Sequence, residues 1–368
     1  MIYFDNAATT NIKPQSVHYA VGNAIRQYSA NPGRSGHKLS NKASQMVFDV
    51  REKVASFFGA ESYENVVFTQ NCTMSLNIAI RGLFEPGDHI LISDLEHNSV
   101  SRVVYDMAKN GLELDIFTVE EDEDILIENI SRLLKKNTKG IVCTHGSNVF
   151  GIKLPIKRIG DLCKKNGLIF VVDAAQTAGI EDINVTECNI DCLCVAPHKG
   201  LYSPMGTGIL ITNNKPMPFI LGGTGSLSIS VVQPDFLPDK YESGTLNVPG
   251  IAGIGAGIDF IKKNKKEIIK KERMITDFIY KSLNRIPNII LYNKPFLPVL
   301  SFNITGEGSD DVAEYLSRNN VCVRAGLHCA PLAHKKFGTD KIGTVRISPA
   351  YFNNLNEAER LVYLLKHY

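Results

Sequence analysis

The sequence has no excess of charge of either sign. Its 368 residues include 40 Lys plus Arg and 38 Asp plus Glu, which leaves a formal net charge of +2. Proteins that bind nucleic acid or an anionic membrane through surface charge carry a marked basic excess, usually gathered on one face. The composition therefore predicts neither nucleic acid nor a membrane as a partner.

Export signals and long apolar runs are also missing. The first residues, MIYFDNAATTNIKP, contain no basic segment that leads into an apolar stretch. No apolar run approaches the roughly 20 residues that span a bilayer as a helix. Eight cysteines in a chain of this size do not indicate a disulfide scaffold. We therefore expect a cytoplasmic protein whose thiols are reduced.

Strand-like apolar runs alternate with helical patterns over most of the chain. Most of these runs are continuous rather than alternating, which is typical of strands covered on both faces. Such alternation predicts a mostly parallel α/β sheet. The predicted strands are Val66–Thr69, His89–Ser93, Asp115–Thr118, Gly140–Thr144, Leu168–Asp173, Cys192–Ala196 and Thr207–Thr212, and the intervening helices include Thr73–Phe84, Val100–Lys109, Ile125–Lys136 and Ile156–Lys165.

The pattern changes after Pro249, where it becomes typical of a smaller α+β unit. Residues 267–284 place apolar side chains at near-helical spacing, which predicts a long amphipathic helix. Shorter elements follow this helix. They are strands at Val299–Ile304, Val321–Arg324 and Thr344–Ser348, and helices at Ser309–Asn319 and Asn356–Lys366.

A glycine-rich stretch before that helix resembles a dinucleotide-binding loop only superficially. Gly253-Ile254-Gly255-Ala256-Gly257 does not follow a predicted strand, and its spacing is not G-x-G-x-x-G. A proline also lies shortly before it. The sequence therefore predicts no nicotinamide site.

Two charged residues follow neighbouring apolar strands. Asp173 ends one run, and Lys199 follows the next in Pro197-His198-Lys199-Gly200. Ligand groups of α/β sheets collect at the carboxyl ends of strands, so both side chains could face one crevice. Pyridoxal phosphate needs such a pair, because a lysine holds its aldehyde as a Schiff base and a carboxylate keeps its pyridine nitrogen protonated. Gln176 could reach the phenolic oxygen of the ring. Asp173 alone could be a helix cap and Lys199 alone a surface residue, but their occurrence together favours the cofactor.

A phosphate site should accompany the ring. The segment Thr69–Asn77 follows a predicted strand and opens a helix, where free backbone N–H groups and the helix dipole favour an anion. Cys72 and Thr73 are the candidate cofactor-binding residues of this helix start. The alternative is that the hydroxyls of Thr73 and Ser75 only cap the helix.

Two further residues lie in or just after predicted strands, in positions suited to binding. His97 comes after the predicted strand His89–Ser93, and its flat imidazole could stack on a pyridine ring and move protons. An exposed loop histidine is the alternative. Arg346 lies in a predicted strand of the C-terminal region, where its guanidinium could bind a substrate carboxylate through two hydrogen bonds.

One cysteine lies in surroundings that favour a reactive thiolate. Cys329 is next to His328 and near Arg324 in a loop that contains glycine and proline. Most cysteines are inert, so an unreactive thiol is the alternative. Cys192 and Cys194 share one face of a strand, but no histidine lies at ligand spacing, and we predict a buried structural role and no metal site.

Together these motifs resemble the aminotransferase class V superfamily, in particular cysteine desulfurases and selenocysteine lyases. The resemblance runs from Tyr3-Phe4-Asp5-Asn6-Ala7-Ala8-Thr9-Thr10 to Arg346, with the markers in family order. It implies the type I pyridoxal-phosphate transferase fold, with a mostly parallel seven-stranded sheet and a smaller α+β C-terminal domain. We expect a large cofactor-binding domain over residues 14–250 and a small domain formed by residues 1–13 and 251–368. The resemblance also implies a homodimer with active sites at the subunit interface.

The resemblance assigns a role to each matching residue. Catalysis would fall to Lys199, Cys329 and His97, with Cys329 as the sulfur acceptor. The substrate carboxylate would be bound by Asn148 and Arg346, and Arg34 would enter the neighbouring site. The cofactor would be held by Lys199 as Schiff base, Asp173 at the pyridinium, Gln176 at the phenolic oxygen, His97 stacked on the ring, Thr73 and His198 at the phosphate, Thr245 at the phosphate of the other subunit, and Cys72 as a further cofactor-binding residue.

The implied reaction converts L-cysteine to L-alanine and leaves a persulfide on Cys329, from which a sulfur-acceptor protein could receive the sulfur. Selenocysteine lyase, or another class V aminotransferase or lyase acting on a small amino acid, is the alternative. A cofactor-binding protein without turnover is a third reading, but it has no need for a catalytic base and a carboxylate clamp. A plain transaminase has no use for the Cys329 thiol.

Three departures distinguish this chain from the family pattern. Leu327 stands where a second histidine often precedes His328 and Cys329, and Ala196 stands where a serine commonly helps to hold the phosphate. The segment from Cys329 to Arg346 is short, as in the type II desulfurases with a compact cysteine loop. These departures bear on partner choice and efficiency more than on cofactor binding.

Overall fold

The computed structural model describes residues 1–33 and 35–368 as strands, helices and their connections. The strands are β1 (Ile2–Tyr3), β2 (Val66–Thr69), β3 (His89–Ser93), β4 (Glu113–Phe117), β5 (Thr138–Thr144), β6 (Ile169–Asp173), β7 (Cys192–Val195), β8 (Gly208–Thr212), β9 (Ile289–Leu291), β10 (Leu300–Ile304), β11 (Val321–Cys322), β12 (Arg324–Gly326) and β13 (Thr344–Ile347). The helices are α1 (Gln15–Gln27), α2 (Lys38–Phe58), α3 (Cys72–Leu83), α4 (Asn98–Ala108), α5 (Glu123–Arg132), α6 (Ile156–Asn166), α7 (Val248–Leu283), α8 (Ser309–Arg318), α9 (Pro331–Lys336) and α10 (Leu355–Lys366).

Seven strands form the central sheet, in the order β2-β8-β7-β6-β5-β3-β4. All neighbouring pairs are parallel except those of β8, which runs antiparallel to both β2 and β7. The prediction of a mostly parallel seven-stranded sheet is therefore confirmed. Its strands lie within about two residues of their predicted positions, because continuous apolar runs mark strands that are buried on both faces.

The parallel strands place their following loops at one edge of the sheet. β3, β5, β6 and β7 run in the same direction, so their carboxyl ends lie side by side. The loop after β3 carries His97, and the loop after β6 carries Gln176. Lys199 follows β7 and Asn148 follows β5. The topology therefore brings residues that are distant in sequence to a common edge.

Apolar side chains cover both faces of the sheet and form a separate cluster in the C-terminal region. Odd and even residues of each strand divide between two core clusters, as for Leu91 and Ile92 of β3. A third cluster combines Phe4 with residues of α8, α10 and the four-stranded sheet β12-β13-β10-β9. Helix α7 contributes to the first cluster with its N-terminal half and to the third with its C-terminal half.

The prediction for helix α7 was too short at its N-terminal end. The helix begins at Val248, capped by the Asn247 side chain, which accepts the N–H of Gly250 at 3.0 Å. The glycines of its first turns lower helix propensity, yet close packing requires them. A Cβ atom on Gly257 would lie 1.9 Å from the Leu201 carbonyl oxygen. The glycine-rich stretch is therefore a helix face packed against the loop that carries Lys199, and it is not a nucleotide loop.

Two helices near the N-terminus were not among the predicted elements. In α2, buried side chains recur every three or four residues, from Ser40 through Val47 and Val54 to Phe58. This periodicity is the usual signal of an amphipathic helix, and Gly59 ends the helix in the left-handed conformation. Within residues 1–33 and 35–368, none of the helices combines the length and the apolar character needed to cross a membrane.

Candidate active site

A cleft of about 530 Å³ opens at the carboxyl edge of the central sheet. The loops after β3, β5, β6 and β7 line it, together with the N-terminus of α3. Most of the residues predicted from the sequence to hold the cofactor or substrate line this one cleft. They are Cys72, Thr73, His97, Asn148, Asp173, Gln176, His198 and Lys199.

Asp173 presents one free carboxylate oxygen to the cleft. The side chain is 3% exposed, and its Oδ1 accepts the Ala175 N–H at 2.9 Å and lies 3.7 Å from the Cys72 thiol. Its Oδ2 has no hydrogen-bond partner among the described residues. Burial raises the pKa of this carboxyl, against the opposing effects of the Ala175 hydrogen bond and Lys199. A cationic group bound at Oδ2 would offset that cost, as a protonated pyridine nitrogen does.

Lys199 is an amine in surroundings that favour its neutral form. Burial lowers the pKa of Lys199, and the charge of Asp173 opposes that shift. Its backbone is held from the N-terminal segment, where the Thr10 hydroxyl lies 3.2 Å from the Lys199 carbonyl oxygen. A lysine that loses its proton readily can attack an aldehyde, which is the requirement for a Schiff-base lysine.

His97 caps helix α4 and lines the cleft. Its Nδ1 accepts the N–H of Ser99 at 3.1 Å, so the single proton of the neutral ring lies on Nε2. Burial lowers the pKa of His97 to about 4, and the charges of Lys199 and Arg324 add to the shift. The ring is therefore neutral near pH 7, which suits a flat surface that stacks on a heterocycle.

The N-terminus of α3 has the features of an anion site. The Asn71 side chain caps this helix by accepting the N–H of Met74 at 2.9 Å, so the alternative in which Thr73 and Ser75 only cap the helix is wrong. The N–H groups of Cys72 and Thr73 have no acceptor within the described residues. Both donors, together with the helix dipole, point to a bound phosphate group.

Arg346 lies fully buried beside the cleft, and one of its guanidinium N–H groups has no hydrogen-bond partner among the described residues. Its Nη1 donates to the Asn148 carbonyl oxygen at 2.9 Å, and its Nη2 pairs with Asp5 at 2.6 Å. Its Nε has no partner in the part of the chain that the structure describes. Because an unpaired buried guanidinium N–H is costly, a substrate carboxylate at this position would satisfy it.

Cys329 lies in a tight, exposed loop that is tied to helix α4. His328 and Cys329 both have left-handed backbone conformations, with φ of 49° and 56°. The Cys329 carbonyl oxygen accepts the Asn98 N–H at 2.7 Å, directly after His97. The Nη2 of Arg324 is 3.7 Å from the Cys329 sulfur. Cys329 is thus exposed, and its backbone is bonded to the residue that follows His97.

A buried histidine pair supports this loop, and the sequence interpretation missed part of it. His328 Nε2 lies 3.2 Å from the Arg324 carbonyl oxygen, which can only accept, so Nε2 carries the proton. Its Nδ1 then accepts from His334 Nε2 at 3.4 Å, and His334 Nδ1 accepts from the Thr339 hydroxyl at 2.8 Å. Burial lowers the pKa of His328 to about 2 and that of His334 to about 4, which keeps both rings neutral.

The N-terminal segment contributes more to the site than its sequence indicated. Asp5 pairs with Arg346, Thr10 contacts the Lys199 carbonyl, and the Ala7 carbonyl accepts from the Gln176 side chain at 3.1 Å. The sequence interpretation used these residues only as a family marker. Their contacts span more than 160 positions along the chain, so no local pattern could reveal them.

Of the described residues predicted for the site, Thr245, Arg346 and Cys329 do not themselves line the cleft. Thr245 lines a different cavity, with Gln70 and Gly206. Arg34 lies outside the described residues. Cys192 and Cys194 are fully buried, and the described residues contain no group of three or more His, Cys, Asp or Glu side chains that could hold a metal ion.

Comparisons with known proteins find similar sequences and structures over nearly the whole chain. The family model for aminotransferase class-V matches residues 2–361. A probable cysteine desulfurase of Methanothermobacter thermautotrophicus is 34% identical over 98% of this chain and 92% of its own length, and one of Pyrococcus abyssi is 32% identical over 100% and 94%. The apo structure of a cysteine desulfurase from Thermococcus onnurineus has a TM-score of 0.91 at 32% identity, covering 100% of this chain and 94% of its own.

Proposed function

This chain belongs to the aminotransferase class V family, and from that premise we propose that it is a pyridoxal-phosphate-dependent cysteine desulfurase. The substrate is L-cysteine, and the products are L-alanine and a persulfide on Cys329. The observation that carries this proposal is the exposed cysteine Cys329, whose loop is bonded to Asn98, directly after His97, and to the side chain of the cleft residue Asn148. Transamination requires no such thiol.

The residues of the cleft fit pyridoxal phosphate. Asp173 Oδ2 is free for the pyridine nitrogen, and the N–H groups of Cys72 and Thr73 are free for the phosphate. Lys199 would hold the aldehyde carbon, and His97 would cover one face of the ring. When bound, the cofactor accepts the electron pair that the substrate releases with its α-proton.

The remaining groups bind the substrate and move its atoms. The Arg346 Nε and the Asn148 side chain orient the α-carboxylate, and the readily neutralised Lys199 amine takes up the α-proton. The Cys329 thiolate then forms a bond to the substrate sulfur. The bond from that sulfur to the β-carbon of the substrate breaks with its electron pair on that carbon. Protonation of the β-carbon, and return of a proton to the α-carbon, yields alanine.

A homodimer with shared active sites is part of this proposal. Thr245, which the family resemblance assigns to the phosphate of a second copy, lines a different cavity from the cleft of its own chain. The resemblance assigns Arg34 to the neighbouring site as well. The neighbouring segment exposes many apolar side chains, which a second copy would cover. They are Met217, Phe219, Leu221, Leu227, Ile229, Val231, Val232 and Phe236.

The proposal also includes a sulfur acceptor, a cellular location and a division into domains. The exposure of Cys329 supports delivery of the sulfur to an acceptor protein. Eight free cysteines support a cytoplasmic location, where thiols stay reduced. The separate cluster that joins Phe4 to α8 and α10 supports a division into a large domain at 14–250 and a small domain at 1–13 and 251–368.

The test uses purified protein loaded with pyridoxal phosphate. L-Cysteine is added with a thiol reductant, and alanine and sulfide are assayed together in the wild type and in Cys329→Ala. We expect equal amounts of both products from the wild type and none from the variant. Alanine without sulfide, or turnover of selenocysteine but not cysteine, would contradict the proposal.

A further inference from the structure

His198 is a ring in the cleft with one nitrogen engaged and one free. Its Nδ1 lies 3.0 Å from the hydroxyl oxygen of Thr9. Its Nε2 has no partner among the residues that the structure describes. The ring lines the same cleft as Thr73, at the start of α3. Which nitrogen carries the proton decides whether His198 offers a donor or an acceptor to a ligand there.

The surroundings of the His198 carbonyl oxygen settle the direction of the Thr9 hydroxyl. That oxygen is 3.2 Å from Thr9 Oγ1, but it also receives Lys13 Nζ at 2.9 Å, Thr10 Oγ1 at 3.1 Å and the Thr10 N–H at 3.3 Å. A carbonyl oxygen has two lone pairs, so it is already satisfied without Thr9. The ring nitrogen is the closer acceptor, and the Thr9 proton belongs on it.

The charge state of His198 completes the assignment. Burial lowers the pKa of His198 to about 4, and the positive charges of Lys199 and Lys13 add to the effect. The ring is therefore neutral near pH 7 and carries one proton. Because Nδ1 accepts from Thr9, that proton lies on Nε2, which is left to donate to a ligand in the cleft.

We propose that Thr9 is a positioning residue that holds His198 in the Nε2-protonated form, so that this ring donates a hydrogen bond to the phosphate of the cofactor. The Tyr3 hydroxyl lies 3.1 Å from the carbonyl oxygens of both Thr9 and Asp5, so its one proton ties this segment together. Without Thr9 the ring can turn or change tautomer and present an unprotonated nitrogen to an anion. The inference rests on the proposed function, because it concerns how the same cofactor is held.

The test compares two ligands that differ only in the phosphate. Dissociation constants of pyridoxal phosphate and of pyridoxal are measured with cofactor-free protein. The pyridoxal constant divided by the pyridoxal-phosphate constant gives the ratio that isolates the phosphate contribution. Hydrogen bonds to charged groups are worth enough to expect that Thr9→Val lowers this ratio about tenfold. Thr9→Ser keeps the hydroxyl and should retain the wild-type ratio.

Thr10→Val is the matched control, because Thr10 contacts the backbone of His198 and Lys199 but not the ring. It should change the affinity for both ligands by the same factor and leave the ratio unchanged. Thr9→Ala gives a second deletion of the hydroxyl if Thr9→Val does not fold. An equal loss for both ligands in either Thr9 variant would show a purely structural role and overturn the inference.

A double-mutant cycle adds a measurement that distinguishes coupling between Thr9 and His198 from a purely structural role of Thr9. His198→Gln places an amide N–H near the former Nε2 and no longer depends on Thr9 for its proton. In that background Thr9→Val should leave the ratio unchanged, whereas an undiminished tenfold loss would contradict the coupling. If the wild-type protein binds no pyridoxal phosphate, the proposed function is wrong. If it binds the cofactor but the ratio is the same in the wild type and in the Thr9 variants, only this inference is wrong.

Discussion

The cofactor cleft and the Cys329 loop present reactive groups in opposite ways. In the cleft, Asp173 and Lys199 are enclosed, and burial moves their pKa values in the directions that disfavour charge. Cys329 is exposed, and its position comes from backbone hydrogen bonds and a buried histidine pair. The cleft thus contains polar groups that need a bound cofactor as their partner, whereas the Cys329 loop is held in place by hydrogen bonds within the protein.

Two cysteines show the same contrast within one site. Cys72 lies at the floor of the cleft, where burial and the neighbouring Asp173 raise the pKa of its thiol well above the usual range. Cys329 is exposed and lies beside the Arg324 guanidinium. A thiol must ionise to act as a nucleophile, so only the loop cysteine suits sulfur transfer. The comparison predicts that changes in the cleft affect cofactor binding, and that changes in the loop affect sulfur transfer alone.

The largest effect is expected from Lys199→Ala. Removing the amine deletes both the covalent attachment of the cofactor and the base for the α-proton, so alanine formation should fall by at least about 10³-fold. The visible absorption of the bound cofactor should also change. Steady-state assays and an absorption spectrum measure both. A variant with near-normal turnover would remove Lys199 from the mechanism.

Cys329→Ser should separate the two regions most clearly. Serine cannot form a persulfide, so sulfide release should fall by about 10²-fold or more, as expected when an essential nucleophile is removed. Cofactor affinity and spectrum should stay at wild-type values. Cys188→Ser, at a half-buried thiol outside the cleft, is the control and should retain full sulfide release. Loss of cofactor binding in Cys329→Ser would mean that the loop and the cleft are not independent.

Asp173→Asn tests the cleft without changing its shape. The amide cannot stabilise a protonated pyridine nitrogen, so pyridoxal phosphate should bind about 10- to 100-fold more weakly, the range for losing a hydrogen bond between charged groups. Equilibrium titration of the cofactor gives the affinity. Unchanged affinity together with normal alanine formation would argue against a charge interaction at Oδ2.

His328→Gln should give the smallest effect, visible in the pH dependence of stability. The folded-state pKa of His328 is lowered to about 2 by burial, whereas an unfolded histidine titrates near ~6.5. Below that value the unfolded state gains a proton that the folded state excludes. The contribution of the neutral His328 ring to the free energy of unfolding is therefore fully present above pH 7 and is lost as the pH falls below ~6.5.

Relative to His328→Gln, the wild type should lose about 1.4 kcal/mol of unfolding free energy for each pH unit well below ~6.5. Denaturant unfolding of both proteins between pH 7 and pH 5 measures the difference. A constant difference over this range would show that His328 is not a buried neutral ring. Cofactor affinity at pH 7 should be the same in both proteins.

Local patterns account for the parts of the fold and site that could be predicted. Continuous apolar runs located the strands of the central sheet, and the rule that ligands collect at strand ends located Asp173, His97 and Lys199. The antiparallel direction of β8 was not predictable, since an apolar run has no direction. The start of α7 was missed because glycines that permit close packing lower helix propensity.

The contacts that the sequence could not provide join distant segments. Asp5 meets Arg346, and Thr9 meets His198, only after the N-terminal segment folds across the sheet edge. Asn71 rather than Thr73 caps α3, because the cap depends on the conformation of the turn and both residue types are suitable. The role of Thr245 stays a prediction, since it depends on a second copy of the chain.

The most direct measurement is the location of the sulfur after a single turnover. Protein loaded with pyridoxal phosphate is mixed with one equivalent of L-cysteine without reductant, trapped with a thiol-alkylating reagent and digested for mass spectrometry. The account predicts one additional sulfur atom on the peptide that contains Cys329, and none on the peptide that contains Cys72, with one alanine released per persulfide. Alanine formation without a modified Cys329, or the extra sulfur on Cys72, would contradict it.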